Sequence, residues 1–205
     1  ENVIGIFNDS GELVQFQGYI NDLSKQKESE RDLKESSYRL SLALKAAELG
    51  VWQFDMANKK LIFDKKVLEI YGREKMGFDG YLKDWMVCLH PADRTKAVKA
   101  AVRSVRSGDI NETEFRIIRP NGEVRHIKTY GTSWTDEAGV SHGAIGINQD
   151  ITEQRRVETE LAKKEKRFED FFNNASIGLY RTSPEGQILM ANSAIVRMLG
   201  YPSFE

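Results

Sequence analysis

Residues 112–134 read ETEFRIIRPNGEVRHIKTYGTSW, two runs of alternating apolar and polar residues around a Pro-Asn-Gly sequence at 120–122. Alternation with a period of two is typical of half-buried strands, and Pro-Asn-Gly is a strong turn signal. The stretch therefore predicts an antiparallel hairpin with strands over 112–119 and 124–134.

The rest of the fold is predicted outward from this hairpin. A turn at 136–139 leads to a third strand over 144–151, and short connections make all three strands antiparallel. Periodicity upstream predicts strands over 51–55 and 60–63, a short helix over 65–71 and irregular structure or short helical turns over 78–90. Strands on both sides of a helical stretch indicate an α+β domain, a five-stranded antiparallel sheet with helices on one face.

One longer helix is expected between the two groups of strands. Pro91 opens it, because proline fits the first helical turn, and Gly108 caps it. Its apolar residues recur at helical spacing and include Val102.

An internal repeat sets the domain organisation. Residues 22–40, DLSKQKESERDLKESSYRL, are similar to residues 150–168, DITEQRRVETELAKKEKRF, at an offset of 128 (150 minus 22) without a gap. Glycines outside these stretches keep the same offset, such as Gly50 with Gly178. We interpret the chain as 1–22, C-terminal strands of a preceding unit; 23–38, a helical connector; 39–151, a complete unit; 152–167, a second helical connector; and 168–205, the N-terminal part of a following unit.

Composition excludes several classes of protein. Lys and Arg number 30 and Asp and Glu 31, a net charge of −1 that gives no reason to expect nucleic-acid binding. No apolar run reaches the roughly 18 residues of a membrane helix. The single cysteine, Cys88, excludes an intrachain disulfide and a multi-cysteine metal site. Because the chain starts at Glu1 without Met, we expect a fragment of a longer protein.

Four motifs together resemble the Per-Arnt-Sim (PAS) sensor domain. They are Gly50-Val51-Trp52, Leu89-His90-Pro91-Ala92-Asp93-Arg94, Glu114-Phe115-Arg116 with Arg119-Pro120-Asn121-Gly122-Glu123, and Gly146-Ile147-Asn148-Gln149-Asp150-Ile151-Thr152-Glu153. The resemblance implies a PAS fold and a modular sensor in a bacterial signalling protein. The output would be a histidine kinase, a cyclic-di-GMP enzyme or a chemotaxis-type domain, with neighbouring PAS and output domains as partners. It further implies a cytoplasmic location, with a membrane anchor elsewhere in the parent left open.

The strand-to-helix joint at Asp150 is the first candidate site. Asp150 and Glu153 have the spacing of a capping box, which fixes where the strand stops and the helix begins. In the family this motif is associated with signal transmission, which the resemblance carries to Asp150 and Thr152. Asp22 and Ser24 form a weaker copy of the same motif.

The connectors and the residues after them, roughly 24–47 and 152–172, carry apolar residues at heptad spacing. Leu33, Leu40 and Ala47 are seven residues apart, and Leu161 and Phe168 repeat the interval. This resembles a short parallel coiled coil and predicts a homodimer through the connector helices. The alternative is a solvated single helix, because many core positions of the heptads are charged.

A ligand pocket between sheet and helices is the second candidate site. Its predicted lining is Trp52, Phe54, Ile62, Tyr71, Trp85, Val102, Phe115, Ile117, Ile145 and Ile147. The alternative is that these apolar side chains fill the core completely.

Cofactor and metal sites have weaker support. The helix over 94–107 has no His such as haem-binding PAS domains use, and Cys88 lacks the Asn-Cys-Arg context of flavin photoreceptors, which argues against haem and covalent flavin. A non-covalently bound flavin or another small-molecule ligand stays open. His126 and His142 lie on the last two strands and could face one another, but two histidines are too few for zinc.

Three functions are compatible with the sequence. The first is a sensory and relay PAS region that passes a ligand- or partner-induced change through the strand-to-helix joints. The second is a ligandless scaffold that sets dimer geometry. The third is an enzyme using Cys88 and His90, which needs a geometry that spacing alone does not supply.

Overall fold

The computed structural model describes residues 2–19, 24–74 and 77–204. The chain divides into two units, Glu1–Leu49 and Gly50–Glu205. Asp22, predicted to be a relay residue, lies outside the described residues.

The first unit is a hairpin followed by a long helix. Strands β1 (Asn2–Phe7) and β2 (Leu13–Tyr19) are antiparallel, and α1 covers Ser24–Ala46. In the turn, the Asn8 Oδ1 accepts the amides of Ser10 at 3.0 Å and Glu12 at 2.8 Å.

The second unit contains the complete sheet and its helices. The elements in chain order are β3 (Gly50–Asp55), β4 (Lys60–Phe63), α2 (Lys65–Tyr71), α3 (Leu82–Cys88), α4 (Arg94–Arg106), β5 (Asn111–Ile118), β6 (Val124–Thr135), β7 (Ser141–Asp150), α5 (Thr152–Asn174), β8 (Tyr180–Thr182), β9 (Ile188–Ala191) and α6 (Ser193–Met198). The main sheet has the order β4-β3-β7-β6-β5, and its neighbouring strands are antiparallel. This confirms the predicted α+β fold with a five-stranded antiparallel sheet.

The predicted hairpin forms between β5 and β6. Phe115 pairs with Ile127, and the turn closes with the Arg119 amide donating to the Glu123 carbonyl at 2.8 Å. Gly122 has φ of 85°, a left-handed conformation that glycine adopts without steric cost.

The core lies between the sheet and α2, α3 and α4. Its fully buried members include Val67, Leu89, Ile117 and Ile127. Trp52 packs against it, and the ring lies so close to Gly131 and Gly146 that a Cβ at either glycine would come within 2.7 Å of the indole. A bulky aromatic side chain is thus accommodated because the facing strands carry no side chain there.

Of the two alternatives for residues 78–90, the short helical one applies, because α3 covers Leu82–Cys88. Two other predicted features of the helical stretch are wrong. Pro91 opens a 3-10 turn, Pro91–Asp93, and α4 begins only at Arg94. Gly108 does not cap α4, because the helix ends at Arg106 and the extended Ser107 provides the cap.

The long helices run past the predicted connector ends. The connectors were expected over 23–38 and 152–167, within heptad-patterned stretches of roughly 24–47 and 152–172; α1 ends at Ala46 and α5 at Asn174. Both helices are 23 residues long, and their first and last residues are related by the offset of the sequence repeat.

Candidate functional site

A cavity of about 120 Å³ lies between the sheet and the helices α3 and α4. Aromatic side chains form much of its wall, namely Trp52, Phe54, Phe63, Trp85 and Phe115. Leu82 and Val102 also line it and are 39% and 45% exposed, so they mark its outer rim. The core is therefore not filled completely, and the space suits a small apolar ligand.

Half of the predicted lining residues meet at this cavity. Trp52, Phe54, Trp85, Val102 and Phe115 line it. Tyr71 and Ile117 are buried but belong to the packed core beside it.

The remaining three predicted lining residues are not at the cavity. Ile62 and Ile145 are 54% and 39% exposed, and Ile147 lies between Gly146 and the buried Asn148 on β7. On β7, Ala144 and Asn148 line the cavity instead, so Ile145 and Ile147 occupy the opposite face of that strand. On β4, Leu61 and Phe63 line the cavity, and Ile62 between them faces outward. The prediction placed apolar residues inward, whereas small residues face the helices here and leave room for Trp52.

Tyr71 connects two of the cavity residues. The Trp85 Nε1 donates to the Tyr71 hydroxyl at 3.2 Å, and the Asn148 Nδ2 donates to it at 3.4 Å. Burial raises the pKa of Tyr71 well above its usual range, so the phenol stays neutral. The Asn148 Oδ1 is buried and has no hydrogen-bond partner among the described residues.

The His-Pro-Ala-Asp motif braces the start of α4 against β5. The His90 amide donates to the Arg116 carbonyl at 2.9 Å. Asp93 accepts the Arg116 amide at 2.8 Å and two guanidinium bonds at 2.9 and 2.8 Å. The hydrogen bond from the Arg116 side chain holds the pKa of Asp93 well below its usual range. The motif therefore fixes the helix that covers the cavity.

We expect Asp93→Asn to lower the free energy of unfolding by about 2 kcal/mol at neutral pH, because it breaks charge-assisted hydrogen bonds. The folded-state pKa of Asp93 lies below its unfolded value of about 3.9. Its stabilisation is therefore present above about pH 4 and is lost as the pH falls towards the folded-state pKa. Urea denaturation at several pH values should give a shallower acid slope for the variant.

Asp79→Asn is the matched control, because Asp79 is exposed and its carboxylate has no ion pair within the described ranges. It should keep the wild-type acid slope. An unchanged slope in Asp93→Asn would contradict the assignment.

The joint between β7 and α5 is held by backbone and side-chain bonds. The Asp150 Oδ1 accepts the Thr152 amide at 2.9 Å and the Thr152 hydroxyl at 2.5 Å. The His126 amide donates to the Thr152 Oγ1 at 2.9 Å, which ties the first turn of α5 to β6. Arg155 of α5 also pairs with Glu114 of β5.

The predicted capping box between Asp150 and Glu153 does not form. Glu153 bonds to Arg156 at 2.9 and 2.7 Å, while Ile151 occupies the cap position and has no side-chain cap bond. Asp150 and Thr152 thus bond to each other and to β6. Ser24 is the first residue of α1, and its relay role stays a prediction.

A chain of charged side chains connects α2 with this joint. The Arg119 Nε donates to the Ile70 carbonyl at the end of α2 at 2.8 Å, and Arg119 pairs with Glu123 at 2.9 Å. Glu123 pairs with Arg125 at 2.7 Å, and Arg125 reaches Asp150 at 3.3 Å. Arg125 and Arg119 hold the pKa of Glu123 below its ordinary value. Sequence analysis missed Arg125, although it follows directly on the Arg-Pro-Asn-Gly-Glu motif and Val124.

One arrangement, which we call the corner, occurs twice in the second unit, at positions related by the sequence offset. In each corner a single side chain before a helix accepts two backbone amides. Asp64 accepts the amides of Val51 and Val67, both at 2.8 Å. Asn192 accepts the corresponding amides of Leu179 at 3.0 Å and Ile195 at 3.1 Å.

Asn192 also donates two hydrogen bonds through its side-chain amide, which the carboxylate of Asp64 cannot do. Its Nδ2 donates to the Phe172 carbonyl at 2.8 Å and the Ile177 carbonyl at 2.9 Å. The Ser193 hydroxyl donates to the Asn173 carbonyl at 2.6 Å. The C-terminal end of α5 is therefore fastened to the β8–β9 corner.

The residues of the enzyme hypothesis do not form a catalytic pair. The buried Cys88 thiol donates to the Asp84 carbonyl at 3.2 Å, and burial raises its pKa, which disfavours the thiolate. The His90 Nδ1 instead accepts the Ala92 amide at 3.3 Å.

The two strand histidines do not face one another. Ile127 pairs with Asp150 and Thr135 with Ser141, so His126 and His142 lie at opposite ends of the β6–β7 ladder. Within the described ranges, no group of three or more His, Cys, Asp or Glu residues is placed to hold a metal ion. Of the described helices, none has the length and apolar character to cross a membrane.

An antiparallel sheet covered by helices around an apolar cavity, with a long helix leaving its last strand, defines a class of small α+β domains with an internal pocket. Residues 60–148 match the family model described as PAS fold, and residues 166–205 match that of the PAS domain. The chain therefore belongs to the PAS family, as the motifs predicted.

Curated relatives are bacterial signalling proteins. The probable diguanylate cyclase DgcE of Escherichia coli K12 is 24% identical over 199 residues, or 95% of this chain. The blue-light-activated histidine kinase of Brucella ovis is 27% identical over 164 residues, or 75% of this chain. The matched regions amount to only 18% and 32% of these two relatives.

A solved structure supports the fold. The sensory box histidine kinase/response regulator from Burkholderia thailandensis aligns with a TM-score of 0.52 and 22% identity. The alignment covers 63% of this chain and 97% of that chain.

Proposed function

We propose that the chain is a sensory and relay segment of a cytoplasmic bacterial signalling protein, in which a change at the cavity is passed through the Asp150–Thr152 joint into α5. One observation carries the proposal: the cavity residue Asn148 lies on β7 two residues before Asp150, which bonds to the first turn of α5. A change at Asn148 therefore has a short covalent path to the helix.

A second path supports the same relay. Asn148 bonds to Tyr71 at the end of α2, and the charged chain from Arg119 through Arg125 continues from α2 to Asp150. Packed and hydrogen-bonded networks of this kind can carry coupling of about 0.5–2 kcal/mol between sites.

The tandem arrangement is part of the proposal. The turn of the first hairpin, with Asn8 accepting two amides, has the same bonds as the turn at Asp136, which accepts those of Ala138 and Val140. The corner at Asn192 has the bonds of the corner at Asp64. These likenesses support the assignment of 1–22 and 168–205 to neighbouring PAS units. The output of the parent would be a histidine kinase or a cyclic-di-GMP enzyme, by analogy with the relatives.

The relay predicts coupling between the cavity and α5. Ala101→Leu would fill part of the cavity, and Asp150→Asn would weaken the joint. We expect Ala101→Leu to change amide hydrogen exchange over residues 152–156 by about two- to thirtyfold, the rate equivalent of 0.5–2 kcal/mol. In the Asp150→Asn background the change should disappear.

Ala57→Leu is the control, since Ala57 lies in an exposed turn away from the cavity. It should leave exchange in α5 unchanged. An equal effect of Ala101→Leu in both backgrounds would refute the relay and favour the ligandless scaffold.

We further propose that α5 pairs with α5 of a second copy of the chain. Val157, Leu161, Lys164, Phe168 and Phe171 are spaced by four, three, four and three residues, as in a coiled-coil seam. The four apolar members are 54–69% exposed. Lys164 in the middle of the seam can set the register of the pair at some cost in stability.

Phe168→Lys should weaken the dimer by at least about a hundredfold, because two phenyl groups leave the interface and each contributes about 2 kcal/mol. Sedimentation equilibrium across micromolar concentrations measures the dissociation constant. Lys166→Ala, opposite the seam, should leave it unchanged. A wild-type chain that stays monomeric throughout that range would contradict the pairing.

A further inference from the structure

We propose that the cavity takes a neutral molecule with one aromatic ring and one hydroxyl group, and that Asn148 is the residue that recognises the hydroxyl. The inference deepens the proposed function, since it names the class of ligand for the same cavity.

The size and walls of the cavity set the body of the ligand. Its volume is about 120 Å³, and apolar protein cavities of about 150 Å³ accept benzene. Trp52, Trp85 and Phe115 supply flat aromatic surfaces, which favour another ring in offset or edge-to-face contact.

The charge of the lining excludes ionic ligands. The side chains that the structure places around the cavity are all uncharged. Transfer of an ionised group into such a site costs several kcal/mol without a counter-charge. The ligand is therefore neutral at the pH of binding.

Asn148 is the polar group left over for a ligand. The other polar side chains of the lining donate within the protein and lie less deeply buried than Asn148 or are already paired. Ser104 donates to the Ala100 carbonyl at 3.2 Å and Thr129 to the Ile147 carbonyl at 3.1 Å. Asn111 donates to the Asp109 carbonyl at 3.0 Å and Thr113 to the Glu112 carbonyl at 2.7 Å. Asn148 is 3% exposed, and its Oδ1 has no partner in the described part of the chain. An amide oxygen left unpaired at this depth is destabilising, and a hydrogen-bond donor on a ligand would remove that penalty.

A hydroxyl suits this amide in either orientation. If the amide is turned so that Oδ1 accepts from the Tyr71 hydroxyl, Nδ2 is left to donate. A hydroxyl can donate to Oδ1 when that atom is free and can accept from Nδ2 when the amide is turned. An ether or a hydrocarbon of the same size lacks this property.

The test compares phenol with toluene, which has nearly the same shape. Titration calorimetry on the 205-residue chain should give about tenfold tighter binding of phenol, the value of one hydrogen bond. In Asn148→Leu the preference should vanish while toluene still binds. Gln149→Leu removes an amide from the next residue, on the opposite face of β7, and should keep the preference.

A second measurement on the wild-type chain does not depend on the variant folding. Phenol, and not toluene, should shift the NMR signals of the Asn148 side-chain amide. Equal affinities for both probes, binding of neither probe, or a phenol preference that survives in Asn148→Leu would each overturn the inference. Tight phenol binding that leaves hydrogen exchange of α5 unchanged would support the ligand class and count against the relay.

Discussion

Gly146→Ala is expected to lower the free energy of unfolding by about 3 kcal/mol, at the upper end of the range for overpacked cores. A Cβ at Gly146 would lie 2.1 Å from the Tyr130 carbonyl oxygen and 2.5 Å from the Trp52 ring. The carbonyl belongs to the neighbouring strand, and the ring is packed against the core. Neither can move without breaking a contact that holds the sheet together.

Urea denaturation measures the change, with the midpoint shifting at a constant m value. Gly108→Ala is the control, because no heavy atom lies within 4 Å of a Cβ at that position. It should change stability by less than about 0.5 kcal/mol. A loss in Gly146→Ala no larger than the control would mean that Trp52 repacks freely.

Asn192→Asp should lower the free energy of local unfolding of the β8–β9 corner by about 3 kcal/mol. The amide nitrogen of Asn192 donates to two carbonyls, and the residue is fully buried. An aspartate would bring a second acceptor to face the Phe172 and Ile177 oxygens and leave both unpaired. Protection of the Leu179 and Ile195 amides from hydrogen exchange should fall by about a hundredfold.

The reciprocal exchange Asp64→Asn provides the control. It should cost much less, because Asn192 shows that one amide oxygen can accept both corner amides. Ser193→Ala removes one bond to the Asn173 carbonyl from an exposed hydroxyl and should cost about 1 kcal/mol. Equal losses in Asn192→Asp and Asp64→Asn would argue against the fastening role.

Local signals predicted most of the sheet correctly. The Pro-Asn-Gly turn at 120–122 and the alternation on either side fix the β5–β6 pairing, because turn geometry and period determine register. The joint at Asp150 and Thr152 was also found, although the expected partner Glu153 pairs elsewhere. Spacing identifies that a cap is needed, and only the fold decides which atoms provide it.

The face of β7 could not be predicted from hydrophobicity. Ile145 and Ile147 are more apolar than the residues beside them, yet Ala144 and Asn148 line the cavity. Choosing the correct face requires knowing that Trp52 occupies the space above Gly146. That is a contact between strands far apart in sequence, and a single-strand pattern does not contain it.

Long-range hydrogen bonds explain the other omissions. Asn148 bonds to a tyrosine 77 residues away, and Arg119 to the carbonyl of Ile70, 49 residues away. The sequence shows that these positions are polar, but it does not show which distant residues they bond to.

Because α5 is long, a small rotation at one end of the helix would produce a large displacement at the other end. Its 23 residues span about 34 Å at 1.5 Å per residue. A tilt of about 5° about the Thr152 end would displace the Asn174 end by about 3 Å, a geometric consequence of that rise. Because Asn192 and Ser193 form hydrogen bonds with the C-terminal end of α5, the displacement would also move the β8–β9 corner. Under the proposed relay, a small change at the Thr152 end would therefore become a displacement of several ångströms at the other end of α5.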